Sequence, residues 1–321
     1  DHAIMLDHGE LIVVRKFKEL LKLDRDSNLI WRRNGPVHHD VALAEDGTLY
    51  VVGKLRREYR GLRVRFSTIM HLTNQGTLID MFSTYDRLDD IKRAFDQKSF
   101  LDTQLDRPAV SKLLDDLSDA LRSLMGKKKR EEKKREIFAY FHANTVTPIQ
   151  DTELGRRDGR FARRNLLTCF RNINQIAVLD KDNWEILWVW GENVLEEPHH
   201  PTMTDDGTIL VFDNGVRREY STVIELDPVT KEIVWEYSSD PREDFFSPTK
   251  GSAQRLPNGN TLICDGDSGR TFEVTRDGEI VWEWFNPRMK DGRRERVYRM
   301  MRLSPQRVAE ALARPELSSP Q

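Results

Sequence analysis

Eight histidines are spread over 321 residues, and five of them occupy comparable places in the chain's internal pattern. His39 stands eight residues before Gly47, His200 stands seven before Gly207, and His142 opens an apolar segment, Phe141-His142-Ala143-Asn144-Thr145-Val146. These three are expected at the start of one and the same strand in three repeats, with His38 and His199 directly preceding two of them. An imidazole at such a place serves as nucleophile, as general acid or base near neutral pH, or as metal ligand, and spacing alone leaves all three open. Neighbours on a regular strand point to opposite faces, so at most one of each adjacent His pair should reach a shared channel. Arginines supply the complementary charge. Arg171 ends the apolar run Leu166-Leu167-Thr168-Cys169-Phe170, and Arg217 and Arg218 follow Phe212-Asp213-Asn214-Gly215. A guanidinium is a planar fork of donors suited to sulfate, phosphate or carboxylate oxygens and to charge that develops on them.

The elements that must position these groups come from a repeat. Leu23-Asp24-Arg25-Asp26-Ser27-Asn28-Leu29-Ile30-Trp31 returns around Trp188, Trp235 and Trp282, the last three standing 47 residues apart. His71-Leu72-Thr73-Asn74-Gln75-Gly76-Thr77-Leu78-Ile79-Asp80 is a copy without its Trp. A second phrase, strand and tight turn, recurs at Asp46-Gly47, Asp206-Gly207 and Asn258-Gly259. Together they make four short antiparallel strands per period, the signature of a propeller blade. Five copies and one poorly matched stretch predict an all-β, six-bladed β-propeller over residues 1–286, with inner strands that bring the histidines to one mouth of the axial channel.

Two segments leave the period. From about Lys92 to Tyr140, Val110, Leu113, Leu114, Leu117, Leu121 and Leu124 recur at three- and four-residue steps after Pro108, which predicts a helical insertion. The run Lys127–Glu136 then reads as a solvated face, or, functionally, as a flap over the mouth or a contact to an acidic partner or membrane surface. Residues 287–321 form a C-terminal extension that is expected to pack outside the ring or tether it. It carries the basic run Arg293–Arg302 and a short helix over Pro305 to Leu312.

Composition narrows the classes. With 38% hydrophobic and 32% charged residues the chain reads as soluble and globular, and 51 Lys plus Arg against 53 Asp plus Glu leave a net charge of −2. That removes the overall basic field expected of a nucleic-acid binder. The longest apolar runs are strand-sized, far short of a membrane span. Cys169 and Cys264 allow one disulfide at most and no CxxC zinc site. No Walker loop, dinucleotide fingerprint, HExxH or GxSxG occurs. The first residues lack an initiator Met and any leader pattern, so the chain is expected to be a mature or trimmed form.

The strings His142-Ala143-Asn144-Thr145-Val146, Asn165 to Asp180, Ile186-Leu187-Trp188-Val189-Trp190-Gly191, His200, Asp206-Gly207, Phe212-Asp213-Asn214-Gly215 and Gly251 to Asn260 resemble the bacterial arylsulfotransferase family. The resemblance runs from about residue 3 to 286, interrupted by the insertion. It implies a six-bladed propeller that moves a sulfuryl group from a phenolic sulfate ester to another phenol, without a nucleotide donor or other cofactor, through a sulfohistidine. It also implies a periplasmic or otherwise extracytoplasmic setting. Residue by residue, His200 matches the nucleophile, Arg171 the family arginine, His142 one supporting histidine, and the His38-His39-Asp40 segment the other. His38, His199, Asn214 and Arg218 are then expected to bind substrate. Two readings from other classes stand beside it. The clustered histidines, with Asp40 or Asp213, would suit a metal ion in a metal-dependent enzyme. A propeller that only presents its mouth or its insertion to a protein partner is the other.

Overall fold

The computed structural model describes residues 2–59, 62–95 and 137–313. Among them, five antiparallel four-stranded sheets follow one another over residues 2–34, 37–83, 143–190, 199–237 and 252–285. The all-β propeller expected from the repeat is present, with five blades where six were predicted. The five repeat copies already account for all five sheets. At the end of the predicted insertion one short strand, Ile137–Ala139, joins the second blade in parallel beside Leu62–Leu72. Most of the predicted helical insertion and the whole charged run 127–136 lie outside the described residues; a short helix, Leu88–Ala94, precedes them.

Period-two alternation explains the packing, because each central strand buries both faces. Ile209 and Val211 face the third blade together with Leu167, Cys169 and Val178. Their neighbours Leu210 and Phe212 face the fifth, against Ile263, Phe272 and Val274. Equivalent apolar layers join blades one to two and two to three.

The recurrent Trp has a distinct task. On the outer strand of the first, third and fourth blades its indole N–H reaches the hairpin turn of the next: Trp31 to the Asn74 carbonyl at 2.9 Å, Trp188 to Pro228 at 3.0 Å, Trp235 to Arg276 at 2.8 Å. The second blade, which lacks its Trp, is gripped in reverse, by Trp184 of the third blade donating to Asp80. Trp282 of the fifth blade has the guanidinium of Arg302 over its ring instead.

That contact belongs to the segment joining the fifth blade to the first. Arg302 exchanges backbone bonds with the Gln254 amide and pairs with Glu273, both in the fifth blade. The helix Pro305–Leu312, formed where it was expected and capped by Ser304, carries Arg307 to Asp7 and the Met5 carbonyl of the first. The extension therefore bridges the fifth and first blades, which is the tethering alternative of the two expected. Two of its arginines meet buried carboxylates, Arg299 at Asp40 of the second blade and Arg302 at Glu273 of the fifth.

Candidate active site

The inner strands Val37–Leu43, Ala143–Pro148 and His199–Met203 each break register with their neighbour inside the blade. A histidine with left-handed backbone stands at the break in two of them, His39 at φ 61° and His200 at 49°, and His142, at 51°, stands directly before the strand in the third. The fifth blade has Gly251 there, at φ 137°, with Phe212 so close that a side chain would collide. Non-glycine residues seldom hold positive φ, and such strain concentrates at functional sites. Bulges also re-aim side chains. Between Val37 and Val41 the strand carries two extra residues, whereas between His199 and Thr202 it carries one. Hence the second histidine of the pair reaches the channel in the second blade and the first does so in the fourth.

A cavity of about 480 Å³ opens at this mouth, lined by Lys16, His39, His142, Arg171, His199, Thr249, Lys250, Arg296 and Tyr298. His39 and His142 meet inside it, Nε2 to Nε2, at 2.8 Å. His199 is held from behind, with Nδ1 2.7 Å from the Asn214 side-chain oxygen and 3.2 Å from the Glu197 carbonyl. Both partners are acceptors, so Nδ1 carries the proton. The opposite nitrogen, Nε2, is buried and has no hydrogen-bond partner. It therefore presents a lone pair at the cavity. Arg171 pairs with Glu197, while Lys250 and Arg296 approach Asp267 at 3.2 and 3.6 Å.

Burial keeps these imidazoles neutral. It lowers His142 to about 3, helped by the charges of Lys54 and Arg171, and His199 to about 4, partly offset by the Asn214 bond. His39 is likewise held well below the ordinary histidine range, by burial and then by the neighbouring histidines. Four cations and neutral imidazoles around one cavity make a receptor for an anion that also needs a nucleophilic or basic nitrogen.

The sequence-derived candidates divide accordingly. His39, His142, Arg171 and His199 come together, and Asn214 stands directly behind His199. His200, expected as the nucleophile, does not line the cavity: its Nδ1 lies 3.2 Å from the Ala253 carbonyl of the fifth blade, which holds its ring in the interblade layer. His38 is buried behind His39, with Nε2 3.2 Å from the Gly53 carbonyl. Arg218 pairs with Asp213 and donates to the Tyr220 carbonyl, and it is not among the residues that line the cavity. Asp40 accepts from the Val146 amide and pairs with Arg299. Among the described residues no three His, Cys, Asp or Glu side chains are grouped to hold a metal ion.

Sequence reasoning missed Lys16, Thr249, Lys250, Arg296 and Tyr298. Lys16 and the Thr249–Lys250 pair sit in ordinary turns without a motif. Arg296 and Tyr298 lie in the basic run already noted, whose place in the ring no periodicity indicates.

Over residues 2–287 the chain matches the family model described as Arylsulfotransferase (ASST). No curated protein matches it. Among solved structures it is similar to a protein of unknown function from Bacteroides caccae, at 13% identity over 88% of this chain and 79% of that one, with a TM-score of 0.51. Virginiamycin B lyase from Staphylococcus aureus is 10% identical over 90% and 70%, with a TM-score of 0.47. A luciferin-regenerating enzyme is 12% identical over 88% and 74%, at 0.45. At 13% identity the first likeness concerns the fold alone.

Proposed function

The chain belongs to the arylsulfotransferase family, and on that premise we propose that it transfers a sulfuryl group from an aryl sulfate ester to a phenolic acceptor through a covalent intermediate on His199. The observation that carries this reading is the unpartnered, buried Nε2 of His199, fixed as a lone-pair nitrogen by the Asn214 bond. In the first half-reaction Nε2 attacks sulfur: the N–S bond forms, the aryl S–O bond breaks, and the departing phenolate takes a proton from water. In the second, the acceptor oxygen attacks the same sulfur, the N–S bond breaks, and the phenolic proton passes to the neutral His39–His142 pair, which returns it to the hydroxide left by the first half-reaction. Arg171, Lys250 and Lys16 are placed to offset the negative charge of the sulfuryl oxygens. The charge of a bound sulfate ester also opposes the field of those cations, so the pair becomes more basic when substrate is present.

The nucleophile is thereby assigned one residue before the position that the resemblance implied. The test is a single turnover of a chromogenic aryl sulfate without acceptor, followed by intact-mass analysis in alkali. One sulfuryl group should be added to the wild-type chain and to His200→Ala, none to His199→Ala, and a phenol should discharge it. An adduct that survives His199→Ala, or no adduct and no acceptor-stimulated phenol release at all, would refute the proposal.

A further inference from the structure

Tyr298 lies beyond the family-matched residues 2–287 yet stands in the cavity wall. Its ring stacks on His39 with centroids 5.9 Å apart and planes 27° apart. Its hydroxyl lies 3.2 Å from His39 Nδ1 and 3.4 Å from the Asn144 carbonyl. The next residue anchors it. Arg299, nearly buried, donates to Asp40 at 2.9 Å, and Asp40 follows His39 directly in the same inner strand. One short stretch of the seam thus holds both faces of the bulge that carries His39.

The hydroxyl can bond in two ways, and they have opposite consequences for the cavity. If it donates to His39 Nδ1, that nitrogen is the lone-pair one and Nε2 bears the proton. If it donates to Asn144 instead, it accepts from Nδ1–H and Nε2 is left bare. The shorter contact is the one to His39, which favours donation there; the 2.8 Å contact between the two histidines requires only that one Nε2 donate to the other. We propose that Tyr298 is a positioning residue, set in place by the seam segment, that fixes His39 as the Nε2–H tautomer and so makes His39 the donor, and His142 Nε2 the acceptor, in the bond that faces the lone pair of His199 across the cavity. On this account the cavity holds two histidines of opposite tautomer, each fixed from behind: His199 as acceptor by Asn214, His39 as donor by Tyr298.

The mechanistic part rests on the sulfuryl-transfer reading, whereas the tautomer does not, and the experiment keeps them apart. In the full chain labelled with 15N-histidine, with His39→Gln to assign the resonances, wild-type His39 should show a pyridine-like Nδ1 and a pyrrole-like Nε2. Tyr298→Phe keeps the stacked ring and removes only the hydroxyl, so His39 should become a mixture of tautomers. Its kcat for aryl sulfate turnover should fall about ten- to hundredfold, the usual loss when a group that orients a histidine is removed, with KM changed less than threefold. A wild-type His39 protonated on Nδ1 overturns the proposal whatever the variant does. An unchanged tautomer in Tyr298→Phe overturns it as well. A Tyr298-dependent tautomer in a chain that turns over no aryl sulfate would uphold the positioning role and refute the proposed activity.

Discussion

The 2.7 Å bond between His199 Nδ1 and Asn214 Oδ1 has a fixed sense, because the Asn214 amide is itself pinned. Its nitrogen donates to the Ser247 carbonyl at 2.5 Å and to the Lys250 carbonyl at 2.7 Å, leaving only the oxygen to face the imidazole. Asn214→Ala should therefore release the tautomer and lower kcat about ten- to hundredfold. It should also destabilise the fold by about 1–3 kcal/mol, since two carbonyls lose their donor. Steady-state kinetics alongside urea titration check both. Full activity in the variant would show that the tautomer is fixed by something else.

Acid should weaken the fold through the same histidines. His142 and His199 titrate near 3 and 4 in the folded chain and near 6.5 when exposed. Above pH 6.5 neither state binds the proton and the stability is whole. As the pH falls from about 6.5 toward 4, the unfolded chain takes protons that the folded one refuses, and each such histidine removes about 1.4 kcal/mol per pH unit. Urea titrations at pH 7 and pH 5 should show the loss, and His142→Gln should make it shallower. Equal slopes in the two chains would mean that His142 is not held neutral.

Inorganic sulfate should compete with the aryl sulfate, and Arg171 should be a main contributor to its affinity. Arg171→Gln removes a charge-assisted contact worth about 1.5–3 kcal/mol, so the inhibition constant for sulfate should rise tenfold or more. Salt should weaken sulfate binding in the wild-type chain, since the cavity's attraction is electrostatic. An inhibition constant unaffected by the substitution would place the sulfuryl group elsewhere in the cavity.

The tryptophan bonds should be unequal in effect. Trp188→Phe loses the 3.0 Å bond to Pro228 from a site where the ring is buried, and should cost about 1–2 kcal/mol with a lower Tm. Trp282→Phe, on a ring 40% exposed and met only by Arg302 through its face, should cost less than half of that. Equal losses would contradict the role assigned to the indole N–H.

The repeat made the blades legible because a period of 47 residues with alternating polarity has few three-dimensional solutions, and the same frame brought His39 and His142 to one mouth. It overcounted blades, since a sixth was added for a poorly matched stretch, whereas the five repeat copies already supply the five sheets and the further strand Ile137–Ala139 only edges one of them. The choice between His199 and His200 was out of reach for a physical reason. A single extra residue in the bulge reverses which side chain points inward, and the sequence carries no mark of whether a bulge holds one extra residue or two. Tyr298 was hidden for another reason: it follows no repeat, so nothing in the pattern ties it to His39, 259 residues away.

The indole bonds run mostly one way round, each blade holding the next, and at the seam this gives way to a stretch that obeys no repeat. A substitution inside a blade must suit the layers on both its sides. Residues of the seam answer to no such rule, although they touch the cavity. Variation there can alter the chemistry of the mouth without disturbing the register of the ring, which makes the seam the part of this architecture most open to divergence between relatives.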